Sequence, residues 1–277
     1  MVPGLSVFRD WFEGYHGRHV IIGGTACNLV YAQHGAPERA TKDIDLVVLA
    51  EAFDRAYFDR FVTFVRAGGY EHRTRDGRCQ LFRFERPRDA DFPPKIELLS
   101  RRPEVLDGVE TALGRLRITD GDYSLSAILL DDDYYQLLED GVETIDGLPV
   151  LGLRYLPVFK MHAWANLTRD KADGRTVHSD EISKHRSDVC KLCSLFEPGK
   201  TVELPEAVRR EVAGFVDARP WDDNMLRGWR LPVDSEGMAD VIRSVYLLAG
   251  GRAVGEWTLG ASRAEWLRAS GCPRFLG

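Results

Sequence analysis

Short apolar runs, separated by glycine-rich or polar segments, characterise the N-terminal part of the chain. The run at 18–22 predicts a buried strand, which Gly23-Gly24 ends before a helical pattern at 25–33. A second strand is predicted at 43–49, where two acids lie among apolar residues. Aromatic residues at helical spacing predict a helix over 51–67, which the next two glycines terminate.

Two further strands and then a series of helices follow along the chain. Residues 79–86 and 95–100 are predicted to pair as a hairpin across a loop rich in proline and aspartate. Helical patterns dominate after about residue 120, at 123–140, 156–168, 179–196, 205–217, 236–249 and 261–270. The pattern therefore predicts an α/β (α+β) domain over residues 1–120 and a helical domain over 121–277.

The composition is typical of a globular protein. The chain has 277 residues, 44% of them hydrophobic, and a net charge of −6. Its apolar runs are too short to cross a bilayer, and its first residues carry no secretion signal. Five scattered cysteines, an odd number, argue against a disulfide framework. We therefore expect a cytoplasmic protein with no membrane partner, in which Cys190 and Cys193 share one face of a helix.

Three carboxylates are the main candidates for a site. Because side chains alternate along a strand, Asp43 and Asp45 share one face of the predicted strand at 43–49. The same alternation puts Glu97 on the polar face of the strand at 95–100. If these strands are neighbours, the three carboxylates converge and suit Mg²⁺, or Mn²⁺ in its place. The alternative is that this D-x-D is a pair of solvated charges at a loop end.

The segment Gly23-Gly24-Thr25 stands between a predicted strand and a predicted helix. Exposed backbone N–H groups and the helix dipole favour an anion at such a point, and glycine lets a phosphate approach closely. Thr25 adds a hydroxyl. The alternative is an ordinary helix N-cap after a tight turn. The segment is neither a P-loop nor a Rossmann fingerprint.

The segments VIIGGTACNLVY, RATKDIDLVVL and KIELLS together resemble the DNA polymerase β-like nucleotidyltransferase superfamily. Its hallmark is a Gly-Gly or Gly-Ser turn, then a D-x-D strand, then a third acid on a neighbouring strand. The run from Arg39 to Asp45, R-x-T-x-D-I-D, is similar to that of bacterial members of the AbiEii-type group. The interval between Thr25 and Asp43 is longer than is usual there, which indicates an extended helix or loop.

The helical half contains three further candidates. Lys160 is the single cation in an almost wholly apolar helical pattern, where the alternative to a functional role is a snorkelling side chain. Lys184 and Asp188 are four residues apart on one helix face, a spacing also typical of a weak surface pair. The segment KHRSDV resembles the K-D-x-x-D helix of AbiEii-type enzymes, with His185 where the first acid is usual.

The resemblance implies a small mixed sheet flanked by helices, with the helical domain closing an active-site cleft. It implies that Asp43, Asp45 and Glu97 hold the metal. The expected nucleotide-binding residues are Gly23, Gly24, Thr25, Lys160 and Lys184. It further implies that Lys160, Lys184 and Asp188 take part in catalysis together with the three metal-binding acids.

The resemblance also implies transfer of a nucleoside monophosphate from a nucleoside triphosphate to an acceptor hydroxyl. The expected acceptor is tRNA or another RNA, in a toxin or phage-defence setting with a cognate antitoxin as a partner. Between residues 73 and 102 there are nine Lys/Arg against five Asp/Glu, which favours a local anionic partner. The alternatives are a small-molecule (antibiotic) nucleotidyltransferase, a protein-nucleotidylating enzyme and a non-enzymatic binding protein.

Overall fold

The computed structural model of the protein describes residues 2–49, 54–74, 80–101 and 131–250. The chain divides into two compact units, Met1–Leu29 with Glu38–Gly152, and Val30–Pro37 with Leu153–Gly277. The predicted boundary near residue 120 lies outside the described residues. The first unit continues beyond it to Gly152, because two later strands belong to its sheet.

The described strands of the first unit form one seven-stranded mixed sheet. They are β1 His19–Ile22, β2 Asp43–Val48, β3 Glu71–Thr74, β4 Gln80–Glu85, β5 Lys95–Ser100, β6 Val142–Ile145 and β7 Leu148–Leu151. Their order in the sheet is β3-β4-β5-β2-β1-β7-β6. Strand β2 runs antiparallel to β1 and parallel to β5, and β4 runs antiparallel to β5. The sheet and its helices confirm the predicted α/β (α+β) class.

The hairpin of β6 and β7 falls in the part of the chain that was predicted to be helical. Its turn is Asp146-Gly147, where both residues have positive φ, 50° and 73°. An Asp-Gly pair is a strong hairpin signal, because a two-residue turn of this kind needs two left-handed positions. The hairpin joins the sheet because β7 pairs in parallel with β1, with Val150 opposite Ile21.

Four described helices belong mainly or wholly to the first unit: α1 Leu5–Trp11, α2 Gly23–Gln33, α3 Arg55–Gly68 and α4 Asp132–Asp140. Helix α3 begins after Asp54, whose carboxylate accepts a hydrogen bond from the Tyr57 amide at 2.8 Å. It ends at Gly69, which has the left-handed φ of 62° that favours glycine. The predicted end of this helix at the glycine pair is confirmed.

An aromatic cluster fills the core between α1, α3 and the sheet, and a histidine lies inside it. His19 of β1 stacks on Tyr57 with ring centroids 5.6 Å apart, and Phe8 and Phe12 meet it edge-on. The imidazole is fully buried, and neither ring nitrogen has a hydrogen-bond partner among the described residues. Burial, and secondarily the charge of His16, lowers the pKa of His19 to about 3.

The stability of the protein should therefore fall in mild acid. The folded state keeps His19 neutral, whereas the unfolded chain binds a proton below its ordinary pKa of 6.5. The contribution of His19 is complete above pH 6.5 and is lost as the pH falls toward 3, costing about 3 kcal/mol at two units below 6.5. We expect His19→Phe to flatten this part of the stability profile in urea unfolding. The exposed His178→Gln should not change it, and an unchanged slope in His19→Phe would contradict the assignment.

The second unit is helical within the described residues. Its helices are α5 Leu156–Ala172, α6 Ser179–Cys193, α7 Glu206–Ala218, α8 Asp223–Gly228 and α9 Ser235–Val245. Cys190 and Cys193 of α6 are both buried, and burial raises the pKa of the Cys190 thiol to about 12. These two cysteines therefore pack in the core as neutral thiols. None of the described helices has the length and apolar character that a membrane span requires. The helix predicted at 261–270 lies outside the described residues.

Candidate active site

Strands β2 and β5 present one polar patch at the start of each strand. Along both strands the first and third side chains are half-buried and the other four are buried. The strands pair in register, so Asp43 lies beside Lys95 and Asp45 beside Glu97. Neighbouring strands are about 4.8 Å apart, and all four side chains share one face. The structure therefore brings together the backbones of the three predicted metal ligands.

Two cations of the protein itself neutralise this patch. The Nζ of Lys95 lies 2.6 Å from Glu97 Oε1 and 3.2 Å from Asp43 Oδ2. The guanidinium of Arg83 in β4 donates from Nε to Glu97 Oε1 at 2.9 Å, and its Nη2 lies 2.9 Å from the same oxygen. Burial lowers the pKa of Lys95, but the negative charges of Glu97 and Asp43 outweigh this effect and raise it. Lys95 thus stays charged among the acids.

Sequence reasoning missed both cations, although a signal existed for one of them. Lys95 is two residues before Glu97, so the alternation that was used for the acids also puts Lys95 on their face. Arg83 depends on the register of β4 against β5, where it is the partner of Glu97. Nothing local in the sequence specifies that register.

The donor set fits a hard divalent cation, since all three acids offer carboxylate oxygens. Lys95 shows that a positive charge is accommodated between Asp43 and Glu97. In the described ranges, no group of three or more His, Cys, Asp or Glu side chains is arranged to hold a metal ion.

The Gly-Gly turn packs directly against the patch. Gly23 has φ +68°, and a Cβ at this position would overlap the carboxylate of Asp45. A Cβ on Gly24 would lie 2.7 Å from the Arg39 guanidinium and 2.8 Å from the Thr41 hydroxyl. The R-x-T-x-D-I-D segment thus approaches the start of α2 closely, and the left-handed φ of Gly23 favours glycine there.

Thr25 has a different position from the one predicted. Its side chain is fully buried, and its hydroxyl donates a hydrogen bond to the backbone carbonyl of Asp43. This bond ties the first turn of α2 to the start of β2. The Thr25 hydroxyl thus positions the strand that carries Asp43 and Asp45, and it does not point to an open phosphate site as expected.

A second connection between α2 and the motif was missed. The Asn28 amide, which is buried, donates to the Arg39 carbonyl at 2.7 Å and accepts from the Arg39 amide at 3.1 Å. This reciprocal pair of bonds holds the backbone of Arg39 against α2 and so fixes where its side chain starts. An asparagine inside a helix that offers both a donor and an acceptor is the kind of signal that indicates such a bridge.

Two of the candidates in the helical half form a buried ion pair. Asp188 is fully buried and pairs with Lys160, whose side chain is 6% exposed, at 3.3 Å between Oδ2 and Nζ. This ion pair connects α5 and α6, so Lys160 does not snorkel to the solvent. Lys184 lies on the exposed part of α6. Asp188, which helix spacing put on one face with Lys184, thus forms a buried ion pair with Lys160.

The excess of basic residues between 73 and 102 is partly engaged in ion pairs. Arg83 and Lys95 pair with Glu97, Arg86 pairs with Glu71, and Arg101 pairs with Asp132. Arg75, Arg78 and Arg102 lie outside the described residues. Four of the basic residues in this segment are therefore engaged in ion pairs.

A comparison with protein-family models and a comparison with curated proteins both found no match to this chain.

The fit of Gly23 leads to a prediction with a matched control. Gly23→Ala introduces a left-handed alanine, which costs about 1–2 kcal/mol, and displaces the Asp45 carboxylate. We expect this loss of stability together with a loss of divalent-metal binding. Gly14→Ala has φ +85° but no atom within 4 Å of the added Cβ, so it should lose similar stability and keep the metal site. Titration with Mn²⁺ and urea unfolding of both variants compare the two effects.

Proposed function

We propose that the protein is a divalent-metal-dependent nucleotidyltransferase with Mg²⁺ as its metal, acting through the polar patch of β2 and β5. One observation carries the proposal. The parallel register places Asp45 beside Glu97 on the face that Asp43 shares, with the Gly-Gly turn packed on Asp45. A purely structural set of surface charges does not require glycine at the point where the helix meets the carboxylate.

In the proposed reaction an acceptor hydroxyl attacks the α-phosphorus of a nucleoside triphosphate. A bond forms between the acceptor oxygen and phosphorus, the bond to the β-phosphate oxygen breaks, and pyrophosphate leaves. Asp43, Asp45 and Glu97 would hold the metal, which would neutralise charge on the phosphates and favour transfer of the acceptor proton to water. The backbone N–H groups at the start of α2 would face the phosphates. Thr25 and Asn28 hold α2 against the start of β2 and the backbone of Arg39 through their hydrogen bonds.

The acceptor that we propose is RNA, on the resemblance to AbiEii-type enzymes and the basic composition of residues 73–102. The decisive experiment incubates the pure protein with each α-³²P-labelled nucleoside triphosphate, Mg²⁺ and total cellular RNA. Label that enters RNA in the wild type, but not in Asp45→Asn, supports the proposal. If the label enters protein or a small molecule instead, that molecule and not RNA is the acceptor. If no triphosphate gives transfer to RNA, protein or a small molecule, the proposed function is refuted.

A further inference from the structure

Lys95 lies where a cation would bridge two of the acids. Its ammonium contacts Glu97 Oε1 and Asp43 Oδ2 at the same time, at 2.6 Å and 3.2 Å. The contact with Asp43 is made across the sheet, since Asp43 is the cross-strand partner of Lys95. The contact with Glu97 is made along β5, since Glu97 is two residues further on in the same strand. Such a position neutralises like charges that would otherwise repel each other.

The second cation of the patch is held differently. Arg83 reaches Glu97 with two nitrogens at 2.9 Å, and its side chain is 16% exposed. A guanidinium that binds through two donors is a rigid partner, whereas an ammonium is a compact charge on a flexible stem. Lys95 is 24% exposed, and its other partner, Asp43, is 42% exposed. Of the two cations, Lys95 is therefore the one that can move away.

The ion pairs of Lys95 and Arg83 use one oxygen of each of the two acids. Among the described residues, the ion pairs of Glu97 all use Oε1 and that of Asp43 uses Oδ2. Carboxylate oxygens are also good ligands for a divalent ion, so a metal held by these acids would compete with the ammonium for them.

We propose that Lys95 is an internal counter-ion that occupies the cation position of the metal-free site and is displaced when the divalent metal binds. This inference rests on the proposed function, since it takes the same three acids as metal ligands. It has a consequence for nucleotide binding. The displaced ammonium loses two partners, and a triphosphate supplies new ones, so the nucleotide should strengthen metal binding through Lys95.

The test is a titration with Mn²⁺ alone, with the free ion measured by electron paramagnetic resonance. We expect Lys95→Met to bind Mn²⁺ at least tenfold more tightly than the wild type, and Lys95→Arg, which keeps the charge, to bind no more tightly than the wild type. Lys42→Met is the matched control, because Lys42 is an exposed cation next to Asp43 in the chain. The Lys42→Met substitution removes the same charge without removing a contact in the site. The Mn²⁺ affinity of this variant should therefore differ from that of the wild type by less than about threefold.

A second measurement uses a non-hydrolysable nucleoside triphosphate. The nucleotide should tighten Mn²⁺ binding more in the wild type than in Lys95→Met. Equal Mn²⁺ affinity in Lys95→Met and the wild type, or an equal gain in Lys42→Met, would overturn the inference.

Asp45→Asn separates this failure from that of the proposed function. If Mn²⁺ binding depends on Asp45 but Lys95→Met binds Mn²⁺ no more tightly than the wild type, the role of Lys95 is refuted and the metal site is retained. If Mn²⁺ binding does not depend on Asp45, the metal site and the role of Lys95 both fall.

Discussion

Asp45→Asn is expected to lower nucleotidyl transfer at least about a thousandfold while the protein stays folded. The metal supplies several kcal/mol of stabilisation to the charge that develops in the reaction, and tenfold in rate corresponds to about 1.4 kcal/mol. An asparagine has the size of the aspartate, so the packing against Gly23 is retained. Transfer is measured with labelled nucleoside triphosphate at saturating Mg²⁺, and folding by circular dichroism and urea unfolding.

Asp43→Asn is expected to have a similar effect on transfer and a small effect on stability. Its carboxylate is 42% exposed and pairs with Lys95, so its loss removes an ion pair worth about 0–1 kcal/mol. Glu97→Gln is a poorer probe, because Glu97 is 13% exposed and its neutralisation leaves Arg83 and Lys95 close together. Turnover near that of the wild type in either aspartate variant would remove both acids from the reaction.

Lys160→Met is expected to destabilise the protein by about 3–5 kcal/mol. The substitution removes the cation that lies 3.3 Å from the fully buried carboxylate of Asp188, and breaking a buried ion pair by removing one partner costs about this much. Asp188→Leu should destabilise the protein by a comparable amount, because it removes the carboxylate that pairs with the buried ammonium of Lys160. In the double variant Lys160→Met/Asp188→Leu, both charges are gone, so the loss should be much smaller than the sum. Urea unfolding measures all four proteins.

The pair of Arg55 and Asp59 is the control for this cycle. It has the geometry of an ion pair at 3.0 Å, but its side chains are 82% and 56% exposed, so Arg55→Ala should leave the free energy of unfolding nearly unchanged. A cost below about 1 kcal/mol for Lys160→Met would contradict the structural role of the buried pair. Loss of transfer in a Lys160 variant that is shown to be fully folded would instead assign this lysine to the nucleotide.

The strands that carry the candidate site were predictable because their signals are local. In β2 and β5, polar and apolar residues alternate at the start of the strand, and this period of two determines which side chains share a face. The faces of Asp43, Asp45 and Glu97 could thus be read without knowledge of the fold. The end of α3 at Gly69 was predictable for the same reason, since a left-handed helix end favours glycine by itself.

The hairpin of β6 and β7 shows where local signals end. The turn residues Asp146 and Gly147 indicate a hairpin, but they do not say which sheet it joins. That depends on the pairing of Ile21 with Val150, which are far apart in the sequence. For this reason the first unit extends to Gly152, whereas helical periodicity alone placed its end near residue 120.

The sequence by itself determined the strand–turn–helix order, the D-x-D strand and the face of each acid, because these follow from patterns within a few residues. Only the tertiary structure decided which charges meet. Arg83 reaches Glu97 through the register of β4 with β5, and Lys95 reaches Asp43 through the register of β2 with β5. Helix spacing suggested Lys184 as the partner of Asp188. Asp188 instead faces the interior between α5 and α6, where a carboxylate requires a buried cation, and Lys160 supplies it.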